Sequence, residues 1–109
     1  MSDLEQVINE LIRFRNERDW EQFHNSKDLA IAISIEANEL LEQFLWKEEE
    51  GANRDKIKEE LADVFLFGLL LAHKHGFDLK EILLEKIRIN AEKYPVSKSK
   101  GSAKKYDQL

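Results

Sequence analysis

The chain has no cysteine. That absence excludes disulfides, thiolate zinc sites and thiol nucleophiles, and it suits a reducing, cytoplasmic setting. Proline occurs once, at Pro95, and glycine only four times, so few residues interrupt the periodic segments. No stretch alternates apolar and polar residues for long enough to suggest a strand. The longest apolar run, V-F-L-F-G-L-L-L-A at residues 64–72, has nine residues. A membrane helix needs about 20. A basic excess is missing as well: the net charge is −5, which argues against a general nucleic-acid binder. The opening M-S-D-L-E-Q is acidic and lacks the basic-then-apolar order of a signal peptide. The expectation is a soluble cytoplasmic chain whose partners include neither nucleic acid nor membrane.

What is present is helical period. With 42% apolar and 36% charged residues, the composition is that of a globular domain and not a disordered chain. Four segments carry apolar residues at helical spacing. The first covers residues 4–19, with Leu4, Val7, Ile8, Leu11, Ile12 and Phe14 mostly on one stripe. After the loop D-W-E-Q-F-H-N, Ser26 is placed to cap a second helix over residues 27–46. Asn53 is placed to cap a third over 54–74, and Asp78 with Glu81 has capping-box spacing for a fourth ending near Lys93. Short connections between four helices predict an all-α, antiparallel four-helix bundle over residues 1–96. The remaining residues, 97–109, are rich in Gly, Ser and Lys, and read as a flexible basic tail.

The second and third helices share an anomaly. L-A-I-A-I-S-I-E-A-N-E-L-L (residues 29–41) is almost wholly apolar yet carries Glu36 and Glu39. The third helix repeats this with Glu60 and Asp63 among Val64, Phe67, Leu70 and Leu71. Residues three apart share a helix face, so each helix can offer two carboxylates to the other. Unpaired carboxylates in apolar surroundings are costly, and four converging ones need a cation between them. With no Cys and only His24, His73 and His75 available, an oxygen donor set favours Mg²⁺, with Mn²⁺ also admissible. The bare pattern also arises by chance: Glu39 with Glu42 and Asp78 with Glu81 have it too. Spacing alone leaves both readings open.

Other candidates have two readings as well. Lys86, Asn90 and Lys93 recur at i, i+4 and i+7, so with Tyr94 they suit a polyphosphate, or else form an ordinary solvated face. Trp20 and Trp46 lie at helix ends, where an indole can stack on a base or simply pack. His24 is near Trp20 and can hydrogen-bond a base or phosphate, or serve as a loop histidine. His73 and His75 suit the C-terminal dipole of the third helix. Residues 64–72 are apolar on every side, which one layer of short helices scarcely covers, so a homo-oligomer is expected.

The spacing E-x-x-E, Glu36 to Glu39, followed after twenty residues by E-x-x-D, Glu60 to Asp63, resembles the signature of the all-α nucleoside triphosphate pyrophosphohydrolases. Three further stretches agree with the short MazG-like branch, the group of dCTP pyrophosphatase: R-D-W-E-Q-F-H, F-L-W-K and K-I-R-I-N-A-E-K-Y-P-V. The resemblance covers roughly residues 3–96. It implies Mg²⁺-dependent hydrolysis of a (d)NTP, such as dCTP, to the monophosphate and pyrophosphate, a housecleaning activity of the nucleotide pool. It implies that Glu36, Glu39, Glu60 and Asp63 are catalytic metal ligands, and Glu39 is the candidate base. Trp20, His24, Trp46 and Phe67 would wall the base pocket, while Lys86, Asn90, Lys93 and Tyr94 would meet the phosphates. The resemblance further implies a homodimer, often doubled to a homotetramer, with pockets built from more than one chain.

Two rivals differ in what they require. A di-iron carboxylate bundle needs two Glu-x-x-His pairs on helices. Only Glu21-x-x-His24 fits, in a loop region. A non-catalytic helical interaction module would keep the apolar stripes but has no use for the acidic quartet.

Overall fold

The computed structural model describes residues 2–46 and 52–109, and among these there is no strand. The helices are α1 (Asp3–Glu17), α2 (Ser26–Glu42), α3 (Arg54–Lys74), α4 (Leu79–Lys93) and the single turn α5 (Val96–Ser99). Two 3₁₀ turns, Glu21–Phe23 and Tyr106–Gln108, complete the order. The chain divides into two compact units, Met1–Gly76 and Phe77–Leu109. The all-α class is as the periodicity predicts, with α1–α3 in the first unit and α4 opening the second.

Each long helix starts on a side chain that takes an orphan N–H. Ser2 Oγ accepts from the Glu5 N–H at 3.1 Å while the Glu5 carboxylate accepts from the Ser2 N–H, a reciprocal box. Asn53 Oδ1 accepts from Asp55 and Lys56. Asp78 accepts from Glu81 at 3.1 Å. The second helix differs from expectation: its cap is Asn25, extended at φ −79° and ψ 164°, with Oδ1 accepting the Asp28 N–H at 2.8 Å. Ser26 is already helical, and its Oγ lies 2.9 Å from His75 Nε2 at the end of α3.

The far end of α2 is a second correction. The apolar period runs on to Trp46, but the helix stops at Glu42. Its final bonds tighten to i+3 spacing, from Gln43 to Leu40 and from Phe44 to Leu41. Trp46 then adopts a left-handed φ of 62°, a conformation unfavourable for a bulky side chain and incompatible with continuing the helix.

Within the first unit, α3 makes its largest contact with α2 and a smaller one with α1. The α2–α3 pair is antiparallel: Ser26 meets His75, Leu29 and Leu70 line a common cavity, and Glu36 meets Glu60 and Asp63. The buried apolar residues, Leu29, Leu69, Leu70 and Ala72, all lie toward the Ser26–His75 end of this pair. Arg15 is the buried charged residue among those described, 8% exposed. Its guanidinium donates twice to Asn16 Oδ1, at 3.1 and 2.9 Å, and pairs with Glu21 at 3.4 Å. This ties the end of α1 to the following turn. Many large apolar side chains stand exposed on the single chain, including Ile35, Phe65, Ile87 and Trp46.

The cap assignment has a direct test. Asn25→Ala should lower stability by about 1 kcal/mol in urea melts, and Asn25→Ser should recover most of the loss. Equal losses in the two variants would show that Asn25 does not cap α2 through its side-chain oxygen.

Candidate active site

Glu36 on α2 and Glu60 and Asp63 on α3 each bring a carboxylate oxygen within 4.8 Å of the others. The i, i+3 spacing aims Glu60 and Asp63 to one side of α3, and the antiparallel pairing sets Glu36 against them. Glu36 Oε2 and Glu60 Oε2 are buried and have no hydrogen-bond partner. Buried polar atoms are normally satisfied, so these two mark a place built for something else. A hard divalent cation binds oxygens at about 2.0–2.6 Å, which puts opposing ligands about 4–5 Å apart. The three carboxylates fit that span.

The electrostatics agree. Burial raises the Glu36 carboxyl from 4.5 to about 7, helped by the neighbouring Glu39 carboxyl and by the charge of Asp63. Glu60 is raised as well, again first by burial and then by Glu39. Both therefore resist ionisation until a positive charge arrives. The fourth predicted ligand, Glu39, is half-buried beside Glu36 and Glu60. It is not among the three converging oxygens.

Asp63 also borders a cavity of about 300 Å³, which is lined by Trp20, His24, Phe67, Leu11, Phe14 and Arg15 among others. Three of the predicted pocket residues thus meet one carboxylate of the cluster. Trp20 is held edge-on to Phe14, with centroids 5.6 Å apart at 79°, and the Arg18 guanidinium sits 3.8 Å over the other ring. A second cavity of about 210 Å³ joins Arg15, Glu21, His73 and Lys74. His24 borders both cavities. Its Nδ1 is buried without a partner, and burial and then the Arg15 charge lower its pKa, against an opposing effect of Glu21. It is a neutral imidazole at neutral pH.

Leu11 and Phe14, which the sequence marks only as part of an apolar stripe, and Arg15 are cavity residues beyond those predicted for the pocket. Their signal was the end of the α1 stripe running directly into D-W-E-Q-F-H. Trp46 lines neither cavity and stands fully exposed at 102%. Lys86, Asn90, Lys93 and Tyr94 belong to the second unit. There Lys86, Asn90 and Lys93 are exposed, while Tyr94 is half-buried and packs on Tyr106.

Comparison with known proteins converges on one group. The model of the MazG-like family matches residues 31–109. The chain is 37% identical to dCTP pyrophosphatase 1 of Rattus norvegicus, over 97% of this chain and 67% of that protein. The Bos taurus protein of the same name is 40% identical, over 97% and 68%. Among solved structures, a pyrophosphatase from Archaeoglobus fulgidus is similar with a TM-score of 0.80 and 33% identity. That match covers 87% of this chain and 94% of the other.

The raised Glu36 pKa predicts the pH response of the metal-free protein. The unfolded carboxyl releases its proton near 4.5 and the folded one near 7, so between these values the folded state binds more protons. Stability from this group is full below about pH 4.5 and is lost as pH rises toward 7. In chelator, Glu36→Gln should gain stability relative to wild type across pH 5 to 8 as that loss is removed. A wild-type-to-variant difference that stays constant with pH would contradict the assignment.

Proposed function

The chain belongs to the MazG-like family, and from that premise we propose that it hydrolyses a deoxynucleoside triphosphate, dCTP or a close relative, to the monophosphate and pyrophosphate. The observation that carries this reading is the convergence of Glu36, Glu60 and Asp63, two of them with unpartnered buried oxygens, beside an aromatic-lined cavity that shares Asp63. An interaction module has no need of that cluster.

Glu36, Glu60 and Asp63 would hold Mg²⁺, with Glu39 beside them; Mn²⁺ suits the same oxygens. When bound, the cation supplies neutralisation of the triphosphate and polarisation of the scissile phosphoryl group. Glu39, outside the converging three but beside Glu36 and Glu60, would take the proton of an attacking water. Trp20 and Phe67 offer ring faces to the base, and the neutral His24 can donate or accept one hydrogen bond to it. Lys86, Asn90, Lys93 and Tyr94 would receive the phosphates.

The active species in this reading is a homodimer or homotetramer. The exposed Ile35, Phe65, Ile87 and Trp46 give a second copy apolar surface to cover. Trp46 then has a use at the shared edge of a pocket. No helix among the described residues is long and apolar enough to cross a membrane. A cytoplasmic setting suits a cysteine-free enzyme that acts on the nucleotide pool.

Incubating the protein with each common NTP and dNTP plus Mg²⁺ should release pyrophosphate in equal amount to monophosphate, fastest from a deoxynucleotide. Asp63→Asn and Glu39→Gln should each lower kcat at least about 100-fold with the helical content unchanged. Trp20→Ala should weaken binding of a non-hydrolysable dNTP by about 1–3 kcal/mol, the range for base–aromatic stacking. Release of orthophosphate alone, or wild-type turnover in Asp63→Asn, would remove this function.

A further inference from the structure

The residues after Pro95 carry more order than their composition suggests. Tyr94 ends α4, its N–H bonded to Asn90 O at 2.8 Å, and Pro95 cannot continue the helix. The chain makes the turn of α5 and then reverses at Gly101, whose φ of 77° is one that glycine adopts without steric cost. Ser102 N–H bonds back to Ser99 O at 3.0 Å, and Ser102 Oγ accepts from Lys104 at 3.3 Å. The 3₁₀ turn Tyr106–Gln108 follows. Its first residue returns to the end of α4. The Tyr106 ring meets the Tyr94 ring edge to face, with centroids 6.3 Å apart at 85°. Lys93 Nζ lies 5.1 Å from the Tyr106 centroid, within cation–π range. The MazG-like match also runs through this segment to residue 109.

One ring therefore touches both Lys93, the last residue of α4, and Tyr94, its C-cap, two of the residues assigned above to the phosphates. We propose that Tyr106 is a positioning residue of the substrate site. The returning segment holds the Lys93 ammonium and the Tyr94 ring ready for the triphosphate. This rests on the reading that Lys93 meets the phosphates. It gives the segment read from composition as a flexible basic tail a part in binding. A lysine on a four-carbon stem samples many rotamers, and a ring beneath its ammonium narrows them before substrate arrives. Such an interaction acts on ground and transition states alike, so its loss belongs in KM and not in kcat.

The test uses the full chain with Mg²⁺ and dCTP, or whichever dNTP turns over fastest. Tyr106→Leu keeps apolar bulk but removes the ring face. It should raise KM about 3–10-fold while kcat stays within about twofold. Tyr106→Phe should match wild type, because the face and not the hydroxyl makes the contact. In a Lys93→Met background, Tyr106→Leu should raise KM less than it does in wild type, since much of what it positions is gone. A wild-type KM in Tyr106→Leu, with KM raised in Lys93→Met, would overturn the positioning role and leave the phosphate reading intact. Wild-type kinetics in Lys93→Met would sink the phosphate reading of Lys93 and this inference with it. An undiminished effect of Tyr106→Leu in the Lys93→Met background would overturn the positioning of Lys93, and a Tyr106→Phe variant as impaired as Tyr106→Leu would show that the hydroxyl and not the ring face acts.

Discussion

Like charges held close together by two packed helices are the constraint on which the molecule turns. Glu36, Glu60 and Asp63 approach within 4.8 Å, and two of these carboxyls are kept reluctant to ionise by burial. Once ionised, such an arrangement opposes the folded state unless a cation balances it. The α2–α3 pair must be held by other means, and these lie toward the Ser26–His75 end. There Leu29, Leu69, Leu70 and Ala72 are buried, and Ser26 is joined to His75. The division is economical. The apolar end supplies the cohesion that the acidic middle lacks.

Arg15 plays the corresponding part for the aromatic cavity. A nearly buried guanidinium needs partners, and it finds them in Asn16 beside it and in Glu21 beyond the turn. Between these contacts lies Trp20, whose N–H bonds to Arg15 O at 3.1 Å. The turn that carries Trp20 and His24 is thus fastened to α1 by main chain and side chain together. The preceding Asp19 has a φ of 53°, which a short acidic side chain tolerates better than most.

How much of this could be read in advance depended on how local the signal was. The third helix was legible to its bounds, because Asn53 and the His75-Gly76 stop are local chemistry. The acidic cluster was legible because i, i+3 pairs on two apolar helices are visible as pattern. The start of α2 was off by one residue: Asn25 and Ser26 are both good caps, and only a tertiary contact from Ser26 to His75 separates them. The end of α2 was overrun because the apolar period continues after the backbone has left the helix. Arg15 gave no sign of burial, since its environment depends on a residue six positions away. Tyr106 gave none either, for a twelve-residue return to Tyr94 follows no period.

The antiparallel register of α2 and α3 has a consequence for how this chain can vary over time. The register is set where the end of α3 meets the start of α2, at the pole away from the segment 43–53 that joins the two helices. The carboxylates inherit their alignment from that distant clasp. Insertions and deletions in the connection therefore leave the spacing of Glu36, Glu60 and Asp63 untouched, whereas one residue inserted between the clasp and the carboxylates rotates that helix's donors out of register. Length variation among descendants of this sequence is expected to gather in that one connection.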